Sequence, residues 1–156
     1  MPTHKKSAAR SSVLGKSASY ARAIGLATGE MAILENLLGQ MMAAALKLDP
    51  KVGQIIYLSS HTAFGRVATL DIAAASVLPA TSLALGRVRT VAKRARELLQ
   101  AHHQMAHDIW DVAGAPRGGS PAKIAAHTAK LLQQAASVRD LADEVRIIIR
   151  QVHRTA

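Results

Sequence analysis

Residues 82–112, SLALGRVRTVAKRARELLQAHHQMAHDIWDV, decide how this chain is read. They contain no proline and a single glycine, Gly86. Val88, Val91, Ala95, Leu98, Leu99, Met105, Ala106 and Ile109 recur in steps of three and four, which places one apolar stripe along a long α-helix. The same segment holds three of the seven histidines, the single tryptophan and five of the twenty lysines and arginines.

The helical period continues on both sides. Residues 19–46 read as a helix whose core face is Met31, Leu34, Leu37, Leu38, Met41, Met42 and Ala45. Asp49-Pro50 is an N-cap followed by proline at the first helical position, so a short helix follows to Leu58. A third helix opens at Ser60 or His61 and ends near Leu78-Pro79, with Phe64, Val67, Ala68, Ala75 and Leu78 as its expected stripe. Residues 113–119 form a Gly/Pro loop. Ser120-Pro121 caps a last helix that runs to His153, with Ile124, Leu131, Ala135, Val138, Ala142, Val145, Ile149 and Val152 facing inward. Aromatic residues are only 3% of the chain, and alanine and leucine abound, which favours helix over sheet. The expected fold is all-α, an up-and-down bundle of four to five helices packed roughly antiparallel.

At 156 residues one domain is expected. Residues 1–22 hold five cations and no acid and read as a flexible basic arm. The bundle then spans residues 23–156. A transit peptide has a similar composition. No apolar run approaches the ~18 residues of a membrane-spanning helix, so no membrane insertion is expected. Cysteine is absent, which excludes disulfides and thiolate chemistry and suits a reducing, cytoplasmic setting. The net charge of +10 points to acidic partners. Arg87, Arg89, Lys93, Arg94 and Arg96 are the candidate phosphate contacts, although their spacing spreads them around the helix. The near absence of aromatics argues against base stacking.

On the helical wheel Asp71 falls in the middle of the third helix's stripe, and His102 falls on the stripe of the fourth. Each requires a partner if buried, and they are candidates for one another. Trp110 reads as a packing anchor. His103 and His107 are four apart on one face, as are His107 and Asp111. That spacing can serve a metal, but the glutamate of an H-E-x-x-H site is replaced by Gln104, and no cofactor or metal is expected.

The arrangement resembles the HEPN superfamily, small α-helical proteins whose members include RNA-cleaving toxins. The matching run is His102-His103-Gln104-Met105-Ala106-His107-Asp108-Ile109-Trp110, in which Ala106-His107 and the trailing Trp110 fit the family's pattern. Upstream, a first helix bearing Glu35 and the run Ser60-His61-Thr62-Ala63-Phe64-Gly65-Arg66 leading to Asp71 are also similar. The resemblance covers residues 30–150 and implies His107 as the acid–base residue of metal-independent RNA cleavage, in a homodimer that pairs through this helix. The family's arginine, four to six residues before the histidine, is missing. His102 stands at one of those positions and replaces the arginine only when protonated. Three readings remain open: an RNA-binding protein with weak or lost ribonuclease activity, a non-catalytic dimeric module for protein partners, and a metal- or small-ligand-binding bundle.

Overall fold

The computed structural model describes the backbone of residues 17–114 and 120–155, and the side chains of residues 17–109 and 120–153. Five helices follow in order: α1 Ala18–Leu46, α2 Pro50–Leu58, α3 Ala63–Val77, α4 Leu83–Gly114 and α5 Pro121–Thr155. No strand occurs among the described residues.

The helix starts are set by short polar side chains. Ser17, Asp49 and Thr62 accept backbone N–H groups of the first turns of α1, α2 and α3. Ser82 does the same for Leu85 at α4, and Ser120 for Lys123 at α5. At the end of α1, Lys47 takes the left-handed conformation with φ 56°. Its N–H reaches Ala44 O, and the Leu48 N–H reaches Ala43 O at 2.9 Å, which closes the helix in a Schellman turn.

The expected stripe of α1 is buried in full, and those of α4 and α5 lie buried or half-buried. Tyr20–His127 and Glu30–Arg139 contacts run in register, so α1 and α5 are parallel. Arg87–Gln151 and Arg94–Glu144 contacts run in reverse register, so α4 is antiparallel to α5. α4 therefore packs antiparallel to α5 as expected, whereas the neighbouring α1 and α5 run parallel. One apolar core joins all five helices, and a smaller one gathers Tyr20, Ala23, Ala27, Met105, Leu131 and Ala135.

Two expectations are corrected here. Residues 1–16 of the expected arm lie outside the described residues, but 18–22 are already helix. Tyr20 is fully buried there, and its hydroxyl shares a 2.8 Å hydrogen bond with His127 Nδ1. The bundle therefore begins before residue 23. In α3 the inward face is Val67, Leu70 and Ala74. Phe64 and Ala75 are exposed, and Ala68 is half-buried between them on the outward side.

α2 folds across α1 at 116°. The crossing is made by Gly39 and Ala43 of α1 against Gly53 of α2. A Cβ on Gly53 would lie 2.6 Å from Ala43 Cα and 2.7 Å from Ala43 N, so backbone meets backbone with no room for a side chain. Gly53→Ala is therefore expected to destabilise by about 1–3 kcal/mol through overpacking. Gly29→Ala, in the exposed helix interior of α1 with nothing within 4 Å, is expected to stabilise by about 0.5–1 kcal/mol. Urea unfolding of the two variants checks the opposite signs.

Candidate nucleic-acid interface

Charge is segregated along the fold. From residue 18 to 82, four cations balance four acids, whereas α4 and α5 together carry eleven cations against six acids. The five basic residues early in α4 divide into two sets. Arg87 and Arg94 turn toward α5, where they donate to Gln151 and Glu144. Arg89, Lys93 and Arg96 lie on the opposite, outward side and are exposed. Continuing in alternating steps of four and three, Gln100, His103 and His107 extend the same face, and all are exposed. The result is one straight stripe, Arg89–Lys93–Arg96–Gln100–His103–His107, which spans about 27 Å at the helical rise. The wheel of the basic run alone hid this stripe, because Arg87 and Arg94 blurred it.

Asp71 is not buried. Its side chain is 40% exposed and faces Arg89 Nε at 3.5 Å, at one end of the stripe. Arg89 lies thirteen residues before His102, about 20 Å along α4, so Asp71 is no partner for His102. Lys93 and Arg96 have no acidic partner within 4 Å among the described residues.

His103 and His107 meet at the far end. Their Nε2 atoms are 3.2 Å apart, and the rings stand edge to face. Beside them Gln104 donates to Asp108 at 3.4 Å. The described residues include no group of three His, Asp or Glu placed to hold a metal ion. The side chains of Trp110 and Asp111 lie outside the described residues. Arg96, the nearest arginine preceding His107 on its own helix, stands about 16 Å away along the axis.

His102 belongs to a different environment from His107. It is half-buried on the side of α4 that faces the bundle, roughly 140° around the helix from His107 at 100° per residue. The expected catalytic pairing of His102 with His107 is therefore not formed. Burial pushes the His102 pKa below its ordinary 6.5, and the opposing pull of Gln134 and Glu35 is smaller. A protonated His102 standing in for a phosphate-binding arginine is thus disfavoured.

Sequence reading missed the polar cluster into which His102 looks. Glu35 of α1 and Arg66 of α3 form an ion pair with side chains 24% and 18% exposed. The fully buried Tyr57 of α2 lies in the field of both, and burial drives its pKa well up, so it stays neutral. Gln134 of α5 is buried and donates to Leu98 O at 3.4 Å. Tyr57 Oη, Arg66 Nε, His102 Nδ1 and Gln134 Oε1 are buried without a hydrogen-bond partner. The available signal was polar residues seated inside apolar stripes: Glu35 beside Leu34 and Leu38, and Gln134 beside Leu131 and Ala135.

No protein-family model matches the chain, and no curated protein or solved structure is found to be similar to it.

Two outcomes are expected. Glu35→Leu leaves the Arg66 cation without its carboxylate and should cost about 2–3 kcal/mol, while Glu35→Leu with Arg66→Met should return to within about 1 kcal/mol of the parent. A double-mutant cycle in urea measures both. His102 and His127 are each held below 6.5 by burial. Their contribution is complete above that value and is lost as pH falls through the lower folded-state values, because the unfolded chain takes up protons that the folded chain refuses. Unfolding midpoints should therefore drop from about pH 7 to about pH 5, and His102→Leu should flatten part of that drop.

Proposed function

We propose that this protein binds RNA through the phosphate backbone, using the outer face of α4, and that cleavage chemistry is weak or lost. The observation that carries this reading is the cationic stripe of Arg89, Lys93 and Arg96 continued by Gln100, His103 and His107, all exposed on one face. Such a track suits a linear polyanion. Its length matches several nucleotides of an extended strand, and its scarcity of aromatics favours backbone contact over base reading. The choice of RNA follows the HEPN-like order of residues around His107, which remains part of the proposal.

Weak or lost cleavage is the better half of that resemblance. His107 has His103 as its described partner, and the residue at the arginine position, His102, faces the bundle in its neutral form. Metal-independent transesterification requires a base for the 2′-hydroxyl and a cation on the phosphate at the same point. Here the nearest arginine of α4, Arg96, lies about two helical turns from His103 and about three from His107.

Binding of a fluorescent single-stranded RNA to the full chain should weaken as salt rises. Three phosphate contacts give a slope near −2 in log K against log salt, about twenty-fold between 50 and 200 mM. Arg89→Glu/Lys93→Glu/Arg96→Glu should cost more than ten-fold in affinity, while Lys123→Glu/Lys130→Glu on α5 should cost little. RNA held with the protein in EDTA should stay intact or decay slowly. Rapid cleavage that disappears in His107→Ala would overturn the binding reading and restore His107 to catalysis.

A further inference from the structure

We propose that His103 and His107 form an open two-imidazole site for a divalent transition-metal ion, zinc(II) by its geometry, at the far end of the α4 stripe. Imidazole nitrogens suit zinc and copper, whereas magnesium and calcium prefer oxygen. The two side chains stand four residues apart on one face of α4, and both are exposed. Their Nε2 atoms converge to 3.2 Å. At a zinc–nitrogen length of about 2.0–2.1 Å, nitrogens 3.2 Å apart subtend about 100–106° at the ion, near the tetrahedral angle. A square-planar ion, with its right angle, needs them closer, at about 2.9 Å. Two rings whose lone pairs meet on one tetrahedral ion have centroids about 5 Å apart, and these are 4.7 Å apart.

The site is built in advance. α4 runs unbroken through both residues, and Leu99 and Met105 anchor its neighbouring turns in the core. The rings therefore need little reorganisation to share an ion, and the second imidazole acts at the high effective concentration of a tethered ligand. Among the described residues each ring is the other's hydrogen-bond partner, so no carboxylate or hydroxyl competes for the two nitrogens. One Nε2–H lies between the rings. It moves to Nδ1 of its own ring when the ion takes both Nε2 lone pairs. Gln104, in place of the glutamate of an H-E-x-x-H site, removes the general base of a metalloprotease but neither of its two helical ligands. No third His, Asp or Glu completes a site with the pair among the described residues, so the ion's remaining positions face solvent.

The pair also differs in kind from the rest of the stripe. Arg89, Lys93 and Arg96 carry fixed charge, whereas an imidazole gains charge by binding a proton or a metal ion. Zinc here adds two positive charges roughly 13 Å beyond Arg96 along the helix axis. That distance exceeds the Debye length of about 8 Å at physiological salt, so the three cations oppose the ion little. Where RNA lies along the stripe, as proposed above, the ion's open positions meet phosphate oxygens. That role rests on the RNA reading, and the site itself does not.

The test is a calorimetric titration of the full chain with zinc chloride, without RNA, at neutral pH in a non-coordinating buffer. The expected result is saturable one-to-one binding. His103→Ala and His107→Ala should each weaken it more than ten-fold, and the double variant should be little worse than either, because one imidazole alone has lost the chelate. His61→Ala, which removes an exposed histidine elsewhere, should leave binding unchanged. His107→Ala/Asp108→His keeps the number of histidines but moves one off the face, so it should not restore binding. Magnesium chloride in large excess should not compete. Unchanged helical circular dichroism checks that each variant is folded. No saturable binding by the parent chain, binding that survives loss of either histidine, or full recovery in His107→Ala/Asp108→His overturns the inference. With no RNA present, that outcome leaves the RNA reading untouched, and a failure of RNA binding leaves zinc binding intact.

Discussion

The ion pair between Glu35 and Arg66 ties α3 to α1 and so sets which side of α3 faces the core and which residue meets the head of the α4 stripe. α3 has apolar residues around its whole circumference, so hydrophobic burial alone does not choose which side faces in. A guanidinium does choose, because an arginine enters a protein interior only where a carboxylate waits. Glu35 stands at that point on α1, among Leu34, Leu37 and Leu38. With Arg66 drawn to it, Val67, Leu70 and Ala74 turn inward and Phe64, Ala68 and Ile72 turn out. The same rotation carries Asp71 to Arg89, at the head of the α4 stripe. The pair contributes little net stability against a well-packed apolar alternative, while losing one partner alone is costly.

Much of the helical framework was legible in the sequence, and the reasons are local. Asp49-Pro50, Ser82 and Ser120-Pro121 mark helix starts through their own backbone chemistry, and the stripes of α1, α4 and α5 follow from spacing alone. The features that were not legible depend on partners far along the chain. Tyr20 looks like part of a polar arm until His127, on the last helix, accounts for its burial. Phe64 looks like core until Arg66 takes the inward position. The five cations of α4 look scattered until Gln151 and Glu144 of α5 claim Arg87 and Arg94 and leave the other three in line. In each case a polar contact between distant helices decided what a periodic pattern left open.

The histidines divide in the same way. His102 and His127 are interior groups kept neutral by burial, one beside Gln134 and the other bonded to Tyr20. His103 and His107 are surface groups on the cationic face. A cluster that reads in sequence as one site of proton chemistry is two sets of side chains on different sides of one helix. The exposed pair extends the stripe, and the interior pair couples stability to pH. The proposed binding face and the pH-sensitive interior therefore draw on separate histidines.

The central proposal is that RNA binds along the outward face of α4. The most direct measurement is a titration of isotopically labelled protein with a short single-stranded RNA, followed by amide and imidazole NMR signals. The account predicts shifts that follow the outward positions of α4, at Arg89, Lys93, Arg96, Gln100, His103 and His107, and leave His102 and the inward positions still. Shifts centred on α5 or α3, or movement of His102 together with His107, would contradict it.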